Sequence, residues 1–135
     1  MKTTNYFNTL IEVAEDCPAT HGEIPPEKGN KTVANLQYEL LHNHPYQFTS
    51  DDVLFAVFAQ RNQIPEEELA GQRELFFAKG QACFRASPLP KRYGWGVHSN
   101  DEGKIALFGM ESDAYQDMVT NKAIDKTKAM RSARA

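Results

Sequence analysis

Tyr93-Gly94-Trp95-Gly96-Val97-His98 and Lys104-Ile105-Ala106-Leu107-Phe108 flank the polar stretch Ser99-Asn100-Asp101-Glu102-Gly103. Aromatic and branched residues on both sides of a short, glycine-containing loop predict an antiparallel hairpin. In a strand, Tyr93, Trp95 and Val97 share one face, and Gly94, Gly96 and His98 share the other. Glycine inside a strand costs backbone entropy and packs nothing. Two at this spacing predict close approach by another body, for which we favour a helix of the same chain over a ligand.

Outward from the hairpin, Ala82 to Ser87 reads as a short strand, and Pro88 and Pro90 bracket a turn. Ser112-Asp113 caps a last helix carrying Tyr115, Met118 and Val119. Ile124 to Met130 alternates with lysines and reads as an edge strand, where lysine discourages sheet-to-sheet aggregation.

The first half is built differently. Phe7, Thr9, Ile11 and Val13 alternate with Asn8, Glu12 and Ala14, which predicts a strand over Tyr6 to Glu15 despite Leu10. Cys17-Pro18 ends it. Pro18 to Asn30 contains three prolines and two glycines and is a long loop, a candidate lid. Thr32 opens a helix carrying Val33, Leu36, Leu40 and Leu41, which stops at Pro45. Thr49-Ser50-Asp51-Asp52 has the hydroxyl and carboxylate of a capping box. The following run from Val53 to Ala59 is apolar all round, so that helix should lie centrally. Pro65 with Glu66-Glu67-Glu68 starts a third helix, buried through Leu69, Phe76 and Phe77 and closed by Lys79-Gly80. Helices grouped before strands predict an α+β fold. The helices of the first half should pack on a mainly antiparallel sheet formed by the N-terminal strand and the C-terminal half.

With 135 residues, 41% hydrophobic and 24% charged, the chain has the size and material of a single domain over residues 1–135. No window approaches the roughly 20 apolar residues of a membrane-spanning helix. The N-terminus lacks the apolar stretch of a signal peptide. A disulfide between Cys17 and Cys83 is open on parity alone, but without an export signal two buried or free thiols are expected, which suits the cytoplasm. Residues 1–75 hold 5 Lys and Arg against 12 Asp and Glu, net −7, while residues 76–135 hold 10 against 6, net +4. An anionic ligand is therefore sought in the second half.

Basic and aromatic residues cluster there. Arg85, Lys91, Arg92 and His98 supply charge and polarity, and Tyr93 and Trp95 supply contact area for a small anionic ligand or a peptide. The leading expectation is a non-catalytic binding domain. A small enzyme using Cys83 or His98 is the alternative, tested by the reactivity of the thiol. A partner-binding protein is the third reading, and the sequence suits a monomer or a homodimer.

Other signals are weaker. Lys91 to Val97 partly imitates an RNA-recognition signature, but Arg92 and Gly96 stand where that motif wants glycine and a β-branched residue. With an acidic chain overall, nucleic acid is not the expected partner. Gly29-Asn30-Lys31-Thr32 lacks the spacing of a phosphate loop, although a helix start flanked by Lys28 and Lys31 suits a small anion. His42 and His44 beside Pro45 read as a helix end. No Cys-x-x-Cys pair exists, so no metal and no cofactor is expected.

Several blocks carry a resemblance: Tyr6-Phe7-Asn8-Thr9, Glu12 to Pro18, Thr32 to Tyr38, Lys79 to Cys83, Lys91 to Gly96 and Lys128 to Ser132. Through them the chain resembles a family of small, mostly bacterial proteins that carries a domain-of-unknown-function label. The resemblance covers nearly the whole chain. It implies a complete single-domain protein and assigns no activity, cofactor or catalytic residue.

Overall fold

Four short strands form one mixed sheet at the centre of the fold, in a computed structural model that describes residues 1–133. They are β1 (Thr9–Glu12), β2 (Trp95–Ser99), β3 (Ile105–Gly109) and β4 (Asp125–Lys128), in the order β3-β2-β1-β4. The hairpin closes as the sequence predicts, with Trp95 opposite Gly109 and Ser99 opposite Ile105. β1 runs antiparallel to β2, with Leu10 opposite His98. The lysine-bearing β4 is an edge strand, but it lies parallel to β1. The fold is α+β, with most of the helix in the first half and a mostly antiparallel sheet.

Leu10 broke the alternation of β1 for a physical reason. Leu10 is fully buried, while Thr9 and Ile11 on the opposite face are buried too, because both sides of the sheet are covered. On one side α5 (Asp113–Thr120) lays Tyr115 against Gly96 and Leu10. On the other side Ile11, Val97 and Ile105 join the main core with Leu36, Leu41, Val53, Val57 and Leu89.

That core is supplied by α1 (Val33–Asn43) and α2 (Ser50–Arg61), each opened by a reciprocal capping box, Thr32 with Asn35 and Thr49 with Asp52. The buried Asp51 carboxylate gathers the N-terminus. It accepts bonds from the Thr3 hydroxyl at 2.6 Å and from the Thr4 amide and hydroxyl at 2.7 Å each. A 3-10 turn at Glu66–Glu68 leads into α3 (Leu69–Ala78), of which only Phe77 is fully buried. Arg73 fastens α3 to α2 through a 2.9 Å ion pair with Asp52, and its guanidinium lies over the Phe55 and Phe77 rings.

Two local expectations are corrected. Ala82 to Ser87 is no strand; it contains a 3-10 turn, Phe84–Ala86. The proline pair does not bracket a turn but sits inside α4 (Pro88–Arg92), a single turn capped by the Ser87 hydroxyl on the Leu89 amide. The first positions of a helix need no backbone donor, so prolines at its first and third residues fit there. Tyr93 follows as the C-cap of α4, so β2 begins only at Trp95.

Candidate functional site

The start of α1 faces α4 across a cavity of about 280 Å³. Thr32, Val33 and Ala34 line one wall, and Lys91, Arg92 and Tyr93 line the other. The capping box uses the amides of Thr32 and Asn35. The Val33 and Ala34 amides, the first two inside the helix, have no partner among the described residues. Unpaired donors at the positive end of a helix dipole attract an anion. Lys91 and Arg92 add full charges, and neither is in an ion pair among the described residues. Lys31, expected to flank this helix start, is instead committed to Glu39 at 2.7 Å, and that bond raises its pKa.

The other three sequence-predicted residues lie apart from this cavity. The Trp95 indole N–H donates to the Glu23 carbonyl at 2.8 Å, and its ring covers Gly22 and leans on Tyr38. Trp95 thereby pins the Pro18–Asn30 loop. The Glu23 amide donates to the Tyr93 carbonyl, Gly22 donates to the Glu111 carboxylate, and the Asn35 amide group donates to Pro25. Gly94 has φ +76°, and a Cβ there would lie 2.3 Å from the His21 carbonyl oxygen, so the loop itself approaches that glycine. Arg85 donates through Nε to the Lys128 carbonyl at 2.7 Å and so holds the end of β4, and its own carbonyl accepts the Met130 amide just beyond.

His98 projects to the α5 side of the sheet. Its Nδ1 lies 2.7 Å from Tyr46 Oη, and the Phe108 ring meets it edge-on with centroids 6.3 Å apart. Burial holds its pKa below the ordinary histidine value, with the Asp101 carboxylate opposing in part. The strand alternation had already put His98 and Trp95 on opposite faces. Cys17 and Cys83 are free thiols. Cys83 Sγ lies 3.6 Å from Tyr6 Oη, and burial, followed by the Cys83 contact, raises the tyrosine pKa. Neither cysteine is bonded to a histidine among the described residues. Among the same residues, no three His, Cys, Asp or Glu side chains are grouped to hold a metal ion.

Sequence reading found the cations Lys91 and Arg92 and, separately, the helix start at Thr32. It did not find that they face each other, because their meeting depends on how α4 docks against α1. The deciding comparison for identity is a family model described as "Family of unknown function (DUF6157)", which matches residues 1–135. The chain belongs to this family. No curated protein and no solved structure matches it. In this DUF6157 member, Lys91 and Arg92 line the same cavity as the start of α1.

Proposed function

We propose that this chain is a single-domain, non-catalytic binding protein for a small anionic ligand, held between the start of α1 and the Lys91-Arg92-Tyr93 turn. The observation that supports the reading is that one cavity is lined both by Val33 and Ala34, whose amides have no partner among the described residues, and by Lys91 and Arg92, which are in no ion pair among them. A volume of about 280 Å³ suits a phosphate- or carboxylate-sized group. The Tyr93 ring gives an apolar wall for whatever carries that group. An acidic side chain of a peptide would present the same chemistry. Two free thiols suit a protein of the cytoplasm.

Inorganic phosphate titrated into the whole chain tests the reading by calorimetry. Hydrogen bonds to charged groups are worth about 1.5–3 kcal/mol each, so Lys91→Ala with Arg92→Ala should weaken phosphate by at least roughly tenfold. The loss should shrink with added salt, since part of it is exposed charge. Unchanged affinity in the double variant would remove the site.

A further inference from the structure

A larger cavity, of about 450 Å³, opens on the other side of Val33, between α1, α2 and the end of α3. Its longest wall comes from α2, where Leu54, Val57, Phe58 and Arg61 follow at the three- and four-residue steps of one helix face. The run that the sequence shows as apolar all round therefore has two uses. Val53 and Val57 fill the core, while Leu54 and Phe58 remain half-buried against the cavity. Phe76 of α3 closes the wall, its ring centroid 4.7 Å from that of Phe58.

The polar groups of this cavity are unequal. Asn62 Nδ2 is spent on the Phe58 carbonyl, and Gln81 Nε2 on the Phe76 carbonyl. Gln37 is different. It is only 3% exposed, and its Oε1 accepts the Ser87 hydroxyl at 2.6 Å. Its Nε2 has no partner among the described residues. No buried side-chain nitrogen or oxygen there is left without a partner, so this nitrogen reaches the surface the cavity supplies. Its amide hydrogens are thus offered to an acceptor that enters the cavity. Arg61, at the last turn of α2, brings a guanidinium that is in no ion pair among the described residues.

We propose that this cavity is a second ligand site, taking a small monocarboxylate with an apolar tail. The tail lies along Leu54, Val57, Phe58 and Phe76, and the carboxylate is shared between the Arg61 guanidinium and the Gln37 amide. The planar fork of arginine matches a carboxylate in two parallel hydrogen bonds. One cation balances one negative charge; a phosphate dianion would bring a second charge with nothing in the cavity to offset it. The volume falls within the range of small-molecule pockets. Val33 forms the wall between this site and the Lys91-Arg92 cavity, and the cation and amide proposed here belong to this side alone.

Octanoate is a suitable probe, with octan-1-ol as the uncharged control of equal tail, each titrated into the whole chain and followed by NMR. The Gln37 side-chain amide should shift saturably with octanoate, and octan-1-ol should bind at least roughly tenfold more weakly. Arg61→Gln, a change at an exposed position, should bring octanoate down to the affinity of the alcohol. Leu54→Trp, which fills the cavity, should block both. Lys91→Ala with Arg92→Ala should leave octanoate unaffected, which separates this site from the anion cavity. No saturable shift up to about 10 mM octanoate, equal binding of acid and alcohol, or full affinity in Arg61→Gln would each overturn the proposal.

Discussion

Tyr115 occupies the space that any side chain at position 96 would need: a Cβ built on Gly96 would lie 2.4 Å from Tyr115 Cε2. The ring cannot swing aside freely, because Tyr115 Oη accepts the Val13 amide at 3.1 Å and ties α5 to the end of β1. The glycine of β2 is thus the footing of a helix.

Gly96→Ala should therefore destabilise the protein by about 1–3 kcal/mol through overpacking, read as a lower urea midpoint at unchanged slope. Tyr115→Leu alone should cost stability as well, but combined with Gly96→Ala the two losses should fail to add. Strict additivity would show that the ring and the glycine are not in contact.

Asp51 gives the second prediction. Its carboxylate is the common acceptor for Thr3 and Thr4, and the Lys2 amide next to them donates to the Phe77 carbonyl at the end of α3. Asp51→Ala should cost about 2–3 kcal/mol, because the Thr4 amide and hydroxyl lose a charged partner. Hydrogen exchange at Thr4 should accelerate together with that of α3. Acceleration confined to residues 1–5 would mean that the N-terminal segment does not brace α3.

How much of this was legible in the sequence follows from where each residue spends its polar atoms. Thr32, Thr49 and Ser112 announce their helices because capping is local, and all three hydroxyls accept the expected backbone amide. The segment Ala82–Ser87 misleads because its decisive contacts are distant: Ser87 answers to Gln37, and Phe84 to the main core. The direction of β4 is likewise absent from its own residues, since either orientation would hide an edge behind lysine. Lys91, Arg92 and Tyr93 stay together in space because they are neighbours in one short turn. Arg85, Trp95 and His98 are drawn away by Lys128, Glu23 and Tyr46, none of which lies near them in sequence.

The third prediction concerns pH. Burial lowers the pKa of His98, so the unfolded chain binds this proton more readily than the folded one. Its contribution is complete above the unfolded value of about 6.5 and is lost as pH falls through that value towards the folded pKa. The urea midpoint should drop between pH 7.5 and about pH 5, and His98→Gln should flatten that part of the curve. An identical slope in the variant would assign the drop to other groups.

The helix cap of α2 supplies a fourth prediction. The Thr49 hydroxyl accepts the Asp52 amide at 3.1 Å, and Asp52 Oδ2 accepts the Thr49 amide at 3.0 Å. Thr49→Ala should cost about 1 kcal/mol, whereas Thr49→Ser should cost only a fraction of that. A similar loss in both variants would point to the threonine methyl and not to the cap.

The anion site is tested most directly by watching the two amides that define it. Inorganic phosphate added to the labelled protein should move the Val33 and Ala34 backbone resonances saturably, and Lys91→Ala with Arg92→Ala should largely abolish that movement. Were those two resonances to stay fixed while phosphate shifted scattered surface lysines, the start of α1 would hold no ligand and the account would fail.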